Sequence, residues 1–202
     1  MFFAATLCGL SLRRFLMRLF TALDISEEVR GRLRAAVGRW KPLAKISWSP
    51  IDNLHVTTKF IGEWPEARLE ELKKALAAVP RAGAIGIAIR GTGWFPNERR
   101  PRVLWAGVEA DESLAKLAHA TEQAVAALGV PVEERPYSPH LTLARIREAV
   151  PLDALRAAIA HAEADFGAFR AGEFKLYLSA AGRYTPLAAF SLQSAAPLRS
   201  SS

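Results

Sequence analysis

Apolar residues along this chain recur with one of two periods, and each change of period marks a new element. Alternation from Met17 to Asp24 predicts a first strand. Ser26 is a suitable N-cap, with Glu27 and Glu28 in the first turn, for a helix running to about Trp40 and ended by Lys41-Pro42. Ile46 to Ser49 reads as a short strand that leads through Pro50-Ile51-Asp52 to an extended segment, Asn53 to Ile61. Pro65 then opens a helical run from Glu66 to Val79. Strands follow at Ala84–Ile89 and Val103–Val108, joined by a connector over residues 91–102. Asp111 or Ser113 opens a helix to about Leu128, which Gly129 ends. A second extended segment, Tyr137 to Ile146, precedes Pro151 and a helical run from Leu152 to Ala162. Phe174–Ser179 and Leu187–Leu192 close the pattern as strands around the turn at residues 180–186.

Two of these segments repeat one another. Leu54-His55-Val56-Thr57 and Pro139-His140-Leu141-Thr142 both place a His and a Thr two positions apart, so in a strand each pair shares one face while its neighbours turn inward. Each is followed by a proline, a helical run and another extended run. The pattern predicts an α+β fold of two similar lobes, with two antiparallel sheets facing a central cleft and helices outside. On strict alternation Lys59 falls on the face of Thr57, whereas Arg145 falls opposite His140 and reaches that face only if the strand ends or twists.

Half of the 202 residues are hydrophobic, enough for a sizeable core in one bilobal domain or two small ones. A net charge of +7 favours an anionic partner such as nucleic acid, although an arginine-rich composition alone would give the same excess. The connector pairs Trp94 and Phe95 with Arg99, Arg100 and Arg102, a mixture suited to base stacking and phosphate attraction. Trp94 and Phe95 are equally suited to an inter-strand core. The single cysteine, Cys8, allows no internal disulfide and no cysteine-based zinc site. No Walker loop or dinucleotide fingerprint is present. Residues 1–16 are an apolar run followed by Arg13-Arg14, the reverse of a twin-arginine signal, and far short of a membrane span. The expected organisation is a leader or misassigned start over residues 1–16, a single bilobal domain over 17–192 and a tail over 193–202.

The paired segments resemble the HxTx motifs of the two-histidine (2H) phosphoesterase superfamily. Within it the chain is similar to the LigT-like RNA 2′,3′-cyclic phosphodiesterases, long called 2′-5′ RNA ligases, from Met17 to about Leu192. Phe95-Pro96, Arg102-Val103-Leu104-Trp105 and Gly182-Arg183-Tyr184 belong to the same likeness. Two departures stand out: Thr58 is polar where an aliphatic residue is usual, and Ser138 stands where a basic residue is common. The resemblance implies metal-independent hydrolysis of RNA 2′,3′-cyclic ends to 2′-phosphomonoesters, with 2′-5′ ligation as the reverse type of reaction. It implies His55 as proton donor, His140 as proton acceptor, and Thr57 and Thr142 bonded to phosphate oxygens. Lys59, Arg145, Trp94, Phe95, Arg100 and Tyr137 are the expected substrate-binding residues. No cofactor or metal is expected, and no membrane; the expected protein is a cytoplasmic monomer acting on RNA ends, tRNA fragments among them. Two alternatives remain open: a phosphodiesterase of small cyclic nucleotides or ADP-ribose cyclic phosphate, and a non-catalytic RNA-end binding module.

Overall fold

The computed structural model describes residues 16–193 apart from Ala82 and Glu163, so the expected leader and tail lie almost wholly outside the described residues. Among the described residues nine strands form two antiparallel sheets. The first sheet has the order β3 (His55–Pro65), β1 (Leu16–Asp24), β8 (Glu173–Ala180), β9 (Arg183–Ser191). The second has the order β2 (Ser47–Trp48), β6 (His140–Arg145), β5 (Val103–Ala110), β4 (Ile85–Phe95), β7 (Asp165–Ala171). Each sheet takes strands from both halves of the chain, and the two meet where β3 lies beside β6.

Among the described residues four α-helices cover the outer faces. α1 (Glu27–Trp40) and α4 (Asp153–Ala160) touch each other, and α1 lies on β7. α2 (Leu69–Ala77) and α3 (Glu112–Ala126) pair on the other side, with α3 against β3 and α2 against β9. The chain therefore crosses between sheets more than once, so neither lobe is built from one half of the sequence alone. Ser26 caps α1 by accepting a bond from the Val29 amide at 3.3 Å. Asp111, not Ser113, caps α3, accepting from the Ser113 amide at 2.8 Å. Apolar stripes such as Val29, Leu33, Val37 and Trp40 on α1, and Leu72 and Leu76 on α2, enter one continuous core. No helix among the described residues is long and apolar enough to cross a membrane.

The structure adds β7, which hydropathy does not reveal. It is an edge strand of small and polar residues in which Phe166 alone is a fully buried aromatic, and Gly167 has a φ of 96° that breaks alternation. Pairing with β4 makes it a strand. β4 itself continues to Phe95, past a register shift between Ile89 and Thr92 and the left-handed Gly91 (φ 69°), into what the composition marked as a connector.

Two further register shifts matter most. In β3 the pairing with β1 passes from Lys59 to Thr57, leaving Thr58 as an extra residue, and a second shift lies between Phe60 and Gly62. In β6 the pairing with β5 passes from Ala144 to Thr142, leaving Leu143 extra. Both motifs thus bulge immediately after their threonine. Thr58 is buried, and its hydroxyl shares a hydrogen bond of 2.8 Å with that of buried Thr21 on the neighbouring strand. The polar departure at position 58 is consequently a partnered group, not an edge residue facing water. Thr21→Val should cost about 1–3 kcal/mol by orphaning the Thr58 hydroxyl. Adding Thr58→Val should recover much of that loss. Urea denaturation of the two single variants and the double variant measures this, and strictly additive losses would contradict the pairing.

Candidate active site

The two histidines begin β3 and β6, and their rings are held in the same way. His55 Nδ1 lies 2.7 Å from the carbonyl of Asn53, and His140 Nδ1 lies 2.8 Å from the carbonyl of Ser138. A carbonyl can only accept, so each Nδ1 carries the hydrogen and each Nε2 is the atom free to take or give a proton. Thr57 and Thr142 line the same cleft, which has a volume of about 660 Å³.

Aromatic rings support both imidazoles. His55 stacks on Phe20 with centroids 4.7 Å apart, and the edge of Tyr184 meets it at 5.2 Å. Phe20 in turn stacks on Tyr177 at 5.3 Å. The Tyr177 hydroxyl donates to Asp24, which also accepts from Lys175 Nζ at 2.8 Å. Burial pushes the His55 pKa below 6.5, and repulsion from His140 acts in the same sense. The bond to Asn53 and the charge of Asp24 oppose the shift only partly. On the other side, Phe95 meets His140 edge-on at 5.0 Å and leans on Trp105 at 5.3 Å. Trp105 lies directly over Gly93, where an added Cβ would come within 2.2 Å of the indole.

Hydroxyl bonds hold the backbone at both motifs. The Tyr137 hydroxyl, just ahead of β6, donates across the lobes to the carbonyl of Thr57 at 2.9 Å. The Ser49 hydroxyl, immediately after β2 in the sheet of β6, donates to the carbonyl of Thr142 at 2.7 Å. Asn53 Nδ2 also reaches the carbonyl of Gly182 in the β8–β9 turn at 2.8 Å.

Arg18, Arg145 and Arg147 line the cleft, and among the described residues no aspartate or glutamate does. Among the described residues none of these three arginines makes a salt bridge. Such a surface attracts anions and has no internal counter-charge to displace. Two imidazoles poised for proton transfer at its centre suit general acid–base chemistry on a phosphate ester.

The structure brings His55, His140, Thr57, Thr142 and Arg145 to one cleft. Arg145 arrives there because the bulge at Leu143 reverses alternation. The same device overturns the expected position of Lys59. The bulge at Thr58 turns Phe60 to the cleft and sends Lys59 to the opposite side, where it is buried. Its ammonium is 2.6 Å from Glu122 Oε1 on α3 and donates to the Pro131 carbonyl at 3.0 Å. Trp94 is also corrected: strand alternation buries it in the core while Phe95 faces outward. Arg100 lies on an exposed loop, its amide bonded to Asn97 Oδ1 at 3.1 Å, and it lines neither the cleft nor the cavity beside it. Phe95 and Tyr137 line that adjoining cavity, of about 1020 Å³, which shares Thr57, Phe60 and His140 with the cleft. Sequence reasoning missed Arg18, Arg147, Phe60, Phe20 and Tyr184. Alternation along β1, extended from Phe20, could have found Arg18; Phe60 was hidden by the bulge.

The family model described as LigT like Phosphoesterase matches residues 23–105 and 107–187. An RNA 2′,3′-cyclic phosphodiesterase of Thermus thermophilus is 38% identical over 147 residues, 67% of this chain and 71% of that protein. One from Methanocaldococcus jannaschii is 34% identical over 165 residues, 81% of this chain and 91% of its own length. Among solved structures, a protein of Thermus thermophilus superposes with a TM-score of 0.71 at 33% identity, covering 87% of this chain and 98% of the other. E. coli LigT complexed with 3′-AMP also gives a TM-score of 0.71, at 26% identity, covering 89% of this chain and 99% of its own. The two tandem matches coincide with the two histidine motifs and the strands that carry them, and the chain belongs to the LigT-like phosphoesterase family.

Proposed function

We propose that this protein is an enzyme that opens the 2′,3′-cyclic phosphodiester at the end of an RNA, leaving a 2′-phosphomonoester. The observation that carries this is the pair of imidazoles, each with Nδ1 anchored and Nε2 free, in a cleft lined by three unpaired arginines and no carboxylate. The names of the relatives at 34–38% identity agree with it.

In this scheme His140 Nε2 takes a proton from water as the water oxygen bonds to phosphorus. The bond from phosphorus to the ribose 3′ oxygen breaks, and protonated His55 gives that oxygen its proton. The two rings finish with one proton exchanged between them and return to their starting state through solvent. The assignment of His55 as acid and His140 as base follows the family resemblance. Thr57 and Thr142 donate to the non-bridging oxygens, where negative charge grows. Arg145 stabilises the same charge. No step calls for a metal, and a ribose 5′-hydroxyl in place of water would form a 2′-5′ linkage by the same bond changes. Burial lowers the proton affinity of His55 in the free protein, and a bound phosphate anion acts in the opposite sense, favouring the charged acid when substrate is present.

His55→Ala and His140→Ala should each lower turnover of a cyclic-phosphate RNA, assayed with chelator present, by about 10²-fold or more. The double variant should lose much less than the product of the two, because either loss alone disables the pair.

The rate should depend on pH as a bell whose limbs belong to the pair. In the free protein, NMR should find the His55 midpoint below 6.5. Inorganic phosphate should raise it, and Asp24→Asn should lower it. A folded His55 that binds fewer protons than the unfolded chain contributes stability that is complete above the ordinary histidine value and is lost as pH falls through the folded one. A midpoint above 6.5 in the free protein would contradict this electrostatic account.

Arg18, Arg145 and Arg147 should make RNA binding steeply salt-dependent, each phosphate contact contributing a slope of about 0.7. Binding of a cyclic mononucleotide, which offers one phosphate, should show a much shallower slope. Equal affinities and slopes for the two ligands would move the function to small cyclic nucleotides, and tight binding of RNA ends without turnover would make the protein a binding module.

A further inference from the structure

Two cavities meet at the histidines, and they differ in chemistry. The cleft carries Arg18, Arg145 and Arg147 with no acid. The adjoining cavity has aromatic walls, Phe60, Phe95 and Tyr137, and mixed charge: Glu122 is paired to Lys59, and Glu133 lies among Arg102, Arg135 and His119. A phosphate held between His55 and His140 sits at the junction, because Thr57, Phe60 and His140 border both spaces. A nucleotide placed there has two parts to dispose of: an anionic backbone and a flat, uncharged base. The three arginines of the cleft face no acid among the described residues, whereas Arg102 and Arg135 of the second cavity share it with Glu133, so the backbone is drawn to the cleft and the aromatic walls are left to the base.

Phe60 is 56% exposed, an unusual state for a phenylalanine in a strand of the first sheet. It is brought there by the bulge at Thr58, just as Arg145 is brought to the cleft by the bulge at Leu143. The two motifs are thus equivalent as far as His, Thr and bulge, and differ at the next cleft-facing position: an aromatic ring on one side and a guanidinium on the other. We propose that the cavity bordered by Phe60, Phe95 and Tyr137 is the seat of the terminal nucleobase, with Phe60 as its stacking surface, and that the preceding phosphates run over Arg145, Arg147 and Arg18. This rests on the RNA-end reading and adds to it a polarity: the asymmetry between Phe60 and Arg145 orients the substrate across an otherwise symmetric pair of motifs. The cavity is large enough for a purine or a pyrimidine, and stacking tolerates any base, so the seat demands a base without selecting one.

The test compares two pentanucleotides ending in a 2′,3′-cyclic phosphate, one complete and one whose last residue is an abasic ribose. For the wild-type protein kcat/KM should fall about tenfold on removal of the base, mostly through KM. In Phe60→Ala the ratio between the two substrates should collapse towards one, with Phe60→Leu intermediate, while Arg145→Met should slow both substrates and preserve the ratio. A wild-type protein that treats the two alike, or a Phe60→Ala that keeps the wild-type ratio, overturns the seat while leaving the RNA reading intact. Failure of the wild-type protein to hydrolyse either pentanucleotide overturns both. As an equilibrium readout, an RNA ending in 2-aminopurine with a 2′-phosphate should lose fluorescence on binding the wild-type protein and much less on binding Phe60→Ala. Equal quenching when 2-aminopurine is moved one residue upstream would place the stacking surface elsewhere.

Discussion

Parity is the constraint on which the rest of the site depends. A strand offers its side chains alternately to two faces, and one inserted residue exchanges the faces for everything beyond it. Both motifs use that fact at the same point. His55 and Thr57, like His140 and Thr142, keep ordinary alternation, and the extra residues Thr58 and Leu143 then reverse it. Without the reversals Arg145 would lie against the apolar interior and Phe60 would point away from the cleft. The reversal also allows Lys59 to be a structural cation: buried against Glu122 outside the cleft, it fastens α3 to β3. Such a pair is weak support for stability in itself, but loss of either partner leaves a charge in poor surroundings.

The mutual position of the two imidazoles is set where the motifs meet. Tyr137 lies just ahead of His140 but bonds across the lobes to the carbonyl of Thr57, whereas Ser49, immediately after β2, bonds to the carbonyl of Thr142 within the second sheet and so holds β6 to the segment that leads to His55. Each bond contributes only about 1 kcal/mol net. Their placement matters more than their strength, because strand exchange already makes the two halves of the chain interdependent: β8 and β9 from the end of the chain complete the sheet that β1 begins.

The elements with strong periodicity were legible in the sequence. α1 could be read from its cap to its last apolar residue, because Ser26 and the stripe from Val29 to Trp40 act locally. The duplicated His-x-Thr was equally legible, since parity within three residues needs no tertiary information. What lay beyond reach depended on neighbours. β7 exists because β4 offers it an edge, and the bulges exist because β1 and β5 set the registers. Those registers decide whether Arg145, Lys59 or Phe60 faces the cleft, so strict alternation places the histidines and threonines but puts Lys59 and Arg145 on the wrong faces. Trp94 and Phe95 illustrate a milder limit. The pair was recognisable as suited to base stacking or to core, but only the sheet determines which ring goes inward.

Net charge was an equally indirect guide, because it does not say which cations are already engaged. Arg32, Arg68 and Arg90 are paired with carboxylates on the outer surface, where such pairs contribute little. The arginines of the cleft have no such partners. This distribution also explains why imidazoles are the fitting proton carriers there. A carboxylate placed among Arg18, Arg145 and Arg147 would be held ionised, would pair with them, and would be a poor acid at any pH where the fold is stable. A neutral imidazole takes a proton without first neutralising that field, which therefore remains available to the phosphate. The lack of acids along the cleft walls and the two histidines at its centre are consequences of one electrostatic requirement.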